Sequence, residues 1–238
     1  MNLLLLEPSE LGSDGTARLR DRRLQHAREV LRAREGDSLR VGVLGGAMGT
    51  ARVAALTKEE LVLETVLTEP APPRAGVDLL LAIPRPKALK KVLPAIASLG
   101  VDRVVLLNAA RVEKSYFDSK VLVPEFLNEL VRLGLEQGRD TIAPELIVRE
   151  RFKPFVEDEL RAWLRDGTAC FTPHPGAPEA LPRRAPGQRA ALAIGPEGGW
   201  VPFEVSLLEA HGFRPVSVGA RPLRVEVAVP VLLGALGL

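Results

Sequence analysis

Downstream of residue 74 the sequence alternates between apolar runs of strand length and longer segments of helix length. This alternation restricts the possible folds more than any other feature. The runs are Leu79–Ile83, Val104–Leu107, Ala190–Ile194 and Pro215–Val218. The helix-like segments are about Lys87–Leu99, Val121–Gln137, Phe155–Leu164, Pro202–His211 and Val227–Leu236. Strands lacking polar alternation are buried on both faces, and strands separated by helices pair in parallel. An α/β domain with a parallel sheet is therefore expected over residues 75–238. In the last segment Ala228, Val231, Leu232 and Ala235 follow the i, i+3, i+4, i+7 spacing of an apolar stripe. Proline is tolerated in a first helical turn, where the N–H has no partner, so Pro230 sets the predicted start near Glu226 or Val227.

The first seventy residues have a different rhythm. Leu39–Val43 alternates, Gly45, Gly46 and Gly49 supply a turn, and Ala51–Ala54 begins a return strand. A further strand is expected at Leu61–Leu63, with a short helix at Leu24–Leu31 and a turn at Gly36-Asp37. Residues 1–70 thus form a small barrel-like β domain. The cluster Glu69-Pro70-Ala71-Pro72-Pro73-Arg74 is a stiff extended connection and marks the boundary.

Hydrophobic residues at 46% and charged residues at 26% describe a globular chain, not a disordered one. The net charge of +2 does not by itself point to nucleic acid. Cys170 is the only cysteine, which excludes an internal disulfide and suits a reducing compartment. It sits in an apolar run and reads as a small buried hydrophobe. His26, His174 and His211 are widely separated, so no metal site is expected. No stretch has the length needed to span a bilayer, and a cytoplasmic location is expected.

Three segments have the residue types of a functional site. Ile194-Gly195-Pro196-Glu197-Gly198-Gly199-Trp200 joins a buried strand to a helix. Glycines there allow close backbone approach by a ligand, or simply a tight turn. Neither the dinucleotide fingerprint nor the P-loop pattern is present. The second segment, Val216 to Glu226, contains Gly219 and sets Arg224 near Glu226. An ordinary surface ion pair explains that pair equally well. The third is the arginine-rich stretch from Arg18 to Arg40. It suits phosphate contacts, or a solvated charged face. Arg183, Arg184 and Arg189 form a smaller basic group in a proline-rich loop.

Taken together these pieces resemble the RsmE family of ribosomal RNA uridine N3-methyltransferases, within the SPOUT class. His26 followed by Val30-Leu31-Arg32 and Gly36-Asp37 resembles the family's N-terminal signature. Lys87 through Leu99-Gly100-Val101 is similar to its first helix and second strand. Glu136-Gln137-Gly138-Arg139 is similar to its Glu-Gln-x-x-Arg motif, one residue shorter. Gly195-Pro196-Glu197-Gly198-Gly199 and Leu223-Arg224-Val225-Glu226 are the most specific resemblance. The family usually has threonine after that glutamate, where this chain has Val227, and a hydroxyl is lost near the helix start.

The resemblance implies a SPOUT-type parallel sheet with a C-terminal trefoil knot, preceded by a PUA-like RNA-binding domain. It implies S-adenosylmethionine as cofactor, held near Thr172, His174, Ile194, Gly195, Glu197, Gly199, Val218, Gly219, Leu223 and Arg224. It implies that Arg224 and Glu226 are catalytic, that Arg22, Arg23, Arg32 and Arg139 contact RNA, and that the protein is a homodimer acting on 16S ribosomal RNA of the small subunit. The alternative is a non-catalytic RNA-binding or ribosome-assembly factor with a SPOUT-like dimerisation domain, favoured by Val227. A nicotinamide-dependent oxidoreductase is disfavoured by the missing fingerprint.

Overall fold

A computed structural model describes residues 2–117 and 119–238. The chain falls into two compact units. One runs from the N-terminus through Pro73 and includes Arg132–Ala143; the other comprises Arg74–Val131 and Pro144–Leu238.

The first unit is built on five strands: β1 (Leu4–Leu6), β2 (Thr16–Leu19), β3 (Ser38–Val43), β4 (Met48–Leu56) and β5 (Leu61–Glu69). Their order in the sheet is β1-β3-β4-β5-β2, with β1 parallel to β3 and every other pair antiparallel. Period-two alternation sends Ala51 and Val53 inward and Arg52 outward. Leu61 and Leu63 meet them in the core with Leu4, Leu6, Leu19 and Val41. Helix α1 (Arg22–Glu29) covers this core with Leu24 and Ala27, three residues apart on one face. Its N-cap Asp21 accepts the backbone N–H of Arg23.

Gly45 and Gly46 occupy the predicted turn, whereas Gly49 belongs to β4. There the register shifts, and a Cβ at Gly49 would meet the Val66 carbonyl oxygen at 1.9 Å. The segment 132–143 is tied to this unit by Gly45 N–H donating to Thr141 O at 2.7 Å and by the Thr141 hydroxyl donating to Gly46 O at 2.6 Å.

The second unit carries six parallel strands: β6 (Val77–Ala82), β7 (Arg103–Leu107), β8 (Glu145–Arg149), β9 (Ala169–Pro173), β10 (Ala190–Ile194) and β11 (Arg214–Val216). Their order is β11-β9-β10-β6-β7-β8. Every residue of β6, β7 and β10 is buried, as their apolar sequences require, and Asp78 in β6 and Arg103 in β7 are the two charged exceptions. Helices α2 (Pro86–Ser98), α3 (Pro124–Gly138), α4 (Pro202–Ala210) and α5 (Val225–Ala235) accompany the sheet. Residues of α3 from Arg132 onward group with the first unit.

Helix α5 starts at Val225, earlier than the proline predicts. Pro230 lies inside it, so the Glu226 carbonyl lacks the N–H that would normally come from that position. Arg189, expected in a surface loop, instead joins a buried charge cluster. Asp78 is fully buried between Arg103, at 2.5 Å, and Arg189, at 3.3 Å, while Arg189 also holds Asp102 at 2.9 Å.

Candidate functional site

Because all six strands of the second unit are parallel, the loops leaving their carboxyl ends gather on one side. The chain winds from β6 out to β8, then returns beyond β6 with β10, β9 and β11. The strand order therefore reverses between β6 and β10, the position at which open parallel sheets bind ligands.

The loops after β9, β10 and β11 enclose a pocket of about 320 Å³, within the roughly 300–1,000 Å³ of small-molecule sites. The first loop contributes His174, the second Ile194, Gly195, Glu197 and Gly199, and the third Val218, Gly219 and Leu223. Eight of the cofactor positions implied by the resemblance thus come together. Trp200, Val225 and Leu232 add apolar wall.

Hydrogen bonds fix each loop. Gly199 N–H donates to Pro196 O at 2.7 Å, closing the turn, and Gly199 has φ +70° with open space where a Cβ would be. A Cβ on Gly195 would lie 3.0 Å from Trp200 N, so glycine lets the loop fold back on itself. Trp200 is buried, donates its indole N–H to Ala193 O at 3.3 Å and packs on Phe152 with centroids 5.3 Å apart. In the third loop Gly219 N–H donates to Ser217 Oγ at 3.1 Å, and Gly219 adopts φ +139°.

Two arginines from neighbouring strand ends hold the glycine-rich turn, and the sequence gives no local motif for either. Arg85, after β6, donates its backbone N–H and Nε to Glu197 Oε1 at 3.0 and 3.2 Å. Arg111, after β7, donates to the Gly198 carbonyl and lines the pocket. A Cβ on Gly198 would sit 3.0 Å from Arg111 Cδ. Their positions follow from β6 and β7 ending on the same side as β10. Arg221 and Pro222 line the pocket as well.

Other sequence candidates lie elsewhere. Thr172 is fully buried within β9, and its hydroxyl donates to Ala193 O at 3.2 Å across the sheet, so it supports the wall without lining the pocket. Arg224 and Glu226 flank the lining residue Val225 without lining the pocket themselves. Arg224 is exposed and caps α5, its carbonyl accepting the N–H groups of Val227 and Ala228. Glu226 Oε2 is buried and lacks a hydrogen-bond donor. Val227 is exposed and also lies outside the lining.

In the first unit Arg23 is buried and committed to Glu10, Asp21 and the Leu5 carbonyl. The carboxylates that allow its burial also occupy the donors that the expected RNA contact would use. Arg22 pairs with Glu136 at 2.9 Å. Arg32 and Arg139 are exposed, each with a left-handed backbone at φ +52° and +55°.

Burial pushes the Cys170 thiol up to about 11, with Asp78 adding to the effect, so the thiol stays protonated and unreactive at neutral pH. Among the described residues no group of three or more metal-ligating side chains comes together, and no helix is long and apolar enough to cross a membrane.

Residues 71–237 match the model of the RNA methyltransferase domain family. The chain is 31% identical over 235 residues to the ribosomal RNA small subunit methyltransferase E of Treponema pallidum (strain Nichols), covering 96% of this chain and 87% of that protein. The protein of the same name from Synechocystis is 29% identical, with 97% and 75% covered. Among solved structures, the ribosomal RNA small subunit methyltransferase E of Neisseria gonorrhoeae bound to S-adenosyl methionine superposes with a TM-score of 0.74 at 22% identity, over 98% of this chain and 96% of that one. A Legionella pneumophila methyltransferase with the same cofactor gives 0.75 at 24% identity, over 99% and 96%.

Proposed function

The chain belongs to the RNA methyltransferase domain family, with the ribosomal RNA small subunit methyltransferases E, and on that premise we propose that it methylates N3 of a uridine in 16S ribosomal RNA using S-adenosylmethionine. The observation that carries this reading is the convergence of the Gly195–Gly199 and Val216–Leu223 loops on one pocket.

The pocket suits that cofactor. Its walls at Ile194, Trp200, Val218 and Leu232 are apolar, as an adenine ring needs, and the open space beside Gly199 and Gly219 exposes backbone to a ligand. S-adenosylmethionine has no phosphate, which agrees with the lack of a P-loop. When bound it supplies a methyl group made electrophilic by a sulfonium.

The protein's share of the reaction is to favour the uracil anion. In this reading Arg224 stabilises negative charge developing on the uracil oxygens, as a fixed donor. The donor-free Oε2 of Glu226 supports a role as acceptor of the N3 proton, and the alternative role for this carboxylate is to orient Arg224. Arg85 and Arg111 hold the glycine-rich turn in register and so orient what lies against it.

The trefoil knot belongs to the same reading. It is supported by Ser217 N–H donating to Glu179 O at 2.7 Å, by Leu181 N–H donating to Ser217 O at 2.8 Å, and by Arg184 N–H donating to Leu236 O. A homodimer is supported by Val227 and Val231, exposed one turn apart on α5. The first unit acts as the PUA-like RNA-holding domain in this reading, which its mixed five-stranded sheet suits. Val227 gives little support to a non-catalytic factor, since its side chain lies outside the pocket lining.

The test is Arg224→Ala in the full chain. Loss of one fixed donor lowers turnover roughly 10²–10³-fold, while calorimetry should show cofactor affinity within about threefold of wild type. Unchanged turnover would remove Arg224 from the mechanism.

A further inference from the structure

The cations of the first unit divide into two sets. Most are neutralised by carboxylates: Arg18 and Arg20 by Glu60, Arg22 by Glu136, Arg23 by Glu10 and Asp21, Arg40 by Glu69, Arg52 by Glu64 and Arg132 by Glu7. Arg28, Arg32, Arg34, Lys58 and Arg139 have no carboxylate partner among the described residues. Four of these five line one open cleft with Leu56 and Thr57, where the end of α1 meets the turn between β4 and β5.

The backbone builds this cleft. Leu31 N–H donates to His26 O and Ala33 N–H to Ala27 O, wrapping the chain around the end of α1. Arg32 is carried there in the left-handed region, which side chains other than glycine rarely occupy. Such an outlier points toward function when it bears a charged side chain at a cleft. Asp37 accepts the backbone N–H of Arg34 at 2.8 Å, leaving the Arg34 guanidinium free. Arg28 reaches the Lys58 carbonyl at 3.5 Å, a marginal contact for a charged donor. No acidic side chain lines the cleft.

Glu35 lies alongside, its carboxylate accepting the Leu56 N–H at 3.4 Å, but among the described residues none of the four cations has a carboxylate partner, and three guanidinium groups and an ammonium so gathered repel one another until an anion arrives. Arginine forks match phosphate oxygens in a bidentate manner. An open cleft admits a chain passing through it, and the exposed Val30 and Leu31 beside it offer apolar contact to sugars and bases. We propose that the cleft formed by Arg28, Arg32, Arg34 and Lys58 grips the phosphodiester backbone of the RNA substrate. The assignment rests on ribosomal RNA being that substrate, and it names a site within the first unit.

The test compares the full-length wild type with the variant Arg28→Ala/Arg32→Ala/Arg34→Ala/Lys58→Ala. Binding to protein-free small-subunit ribosomal RNA is measured across a potassium chloride series. All four side chains are exposed, so the fold should survive, and Arg34→Glu/Lys58→Glu provides an independent second variant. The expected results are affinity reduced at least about tenfold and a salt slope shallower by roughly 3, from four lost phosphate contacts. Cofactor affinity should be unchanged, and Arg52→Ala, which removes a neutralised cation, should stay within about twofold of wild type. Millimolar inorganic phosphate at constant ionic strength should leave the RNA bound; displacement would mark a free-anion site and overturn the assignment. If wild type binds RNA and both variants bind with the same affinity and slope, the cleft is refuted while the methyl-transfer reading stands. A wild type that binds no ribosomal RNA sinks both.

Discussion

The buried carboxylate of Glu204 accepts the backbone N–H of Ala110 at 2.7 Å, joining the first turn of α4 to the loop after β7. Its other oxygen accepts the N–H of Val201 at 2.9 Å, satisfying an orphan donor at the start of the helix. Arg111, the next residue after Ala110, holds the Gly198 carbonyl. One side chain thus fixes both the arginine that grips the glycine-rich turn and the helix that follows it. Glu204→Ala strands two N–H groups, each costing roughly 1–3 kcal/mol where water cannot replace the carboxylate. Urea denaturation should show that loss, and calorimetry should show weaker cofactor binding. Unchanged values in both would mean the tie does not support the pocket.

At Gly199 the backbone is left-handed and the space beyond it is open. Gly199→Ala should cost about 1–3 kcal/mol in stability while placing a methyl where ligand is expected. Cofactor affinity should therefore fall more than stability alone explains. Retained affinity with reduced stability would show that the ligand does not approach this face of the turn.

Arg139 is an exposed arginine held at φ +55° just after Gly138, the last residue of α3. Glycine adopts that geometry without the Cβ penalty. Arg139→Gly should stabilise the protein by about 1 kcal/mol, read as a higher urea midpoint at constant slope. A destabilised variant would show that the arginine side chain contributes to the fold.

Arg23 stabilises the first unit through Glu10 and Asp21. Burial pushes the Glu10 carboxyl up, but hydrogen bonds from Arg23 and from the Glu7 N–H outweigh it and hold the group below its ordinary 4.5. Asp21 is likewise pushed up by burial and brought below 3.8 by hydrogen bonds to Arg23. Lower folded values mean that the native state binds fewer protons than the unfolded chain. This contribution is fully present above pH about 4.5 and is lost as pH falls through the folded values. Arg23→Met should cost about 3 kcal/mol at pH 7 and flatten the acid limb of the stability curve. It should also leave the salt slope of RNA binding unchanged, in contrast to the cleft variants.

The sequence made the second unit legible where burial on both faces left unbroken apolar runs. Ala190–Ile194 was readable to the residue. β8 was not, because Glu145–Arg149 lies at the sheet edge and mixes charged with half-buried residues. β1 has only three residues, too few to show a period. The start of α5 is not legible, because a first-turn position for Pro230 predicts Glu226 or Val227, whereas the helix begins at Val225 and accepts the proline internally. The glycine-rich turn and the Gly219 loop were visible as motifs, and the structure brings them together. Arg85 and Arg111 were invisible, since their role arises from strands that meet only through the parallel sheet. The arginine-rich stretch read as one basic patch, but its members differ by partner. Arg23 is neutralised by carboxylates close in sequence, Arg22 and Arg18 by distant ones, and spacing alone cannot reveal those pairings.

The most direct test incubates the purified protein with S-adenosylmethionine and small ribosomal subunits lacking the modification, followed by nucleoside mass spectrometry of the RNA. The expected product is one 3-methyluridine per small-subunit RNA, absent with Arg224→Ala. No methyl transfer, or a methyl on another nucleoside, would contradict the central claim.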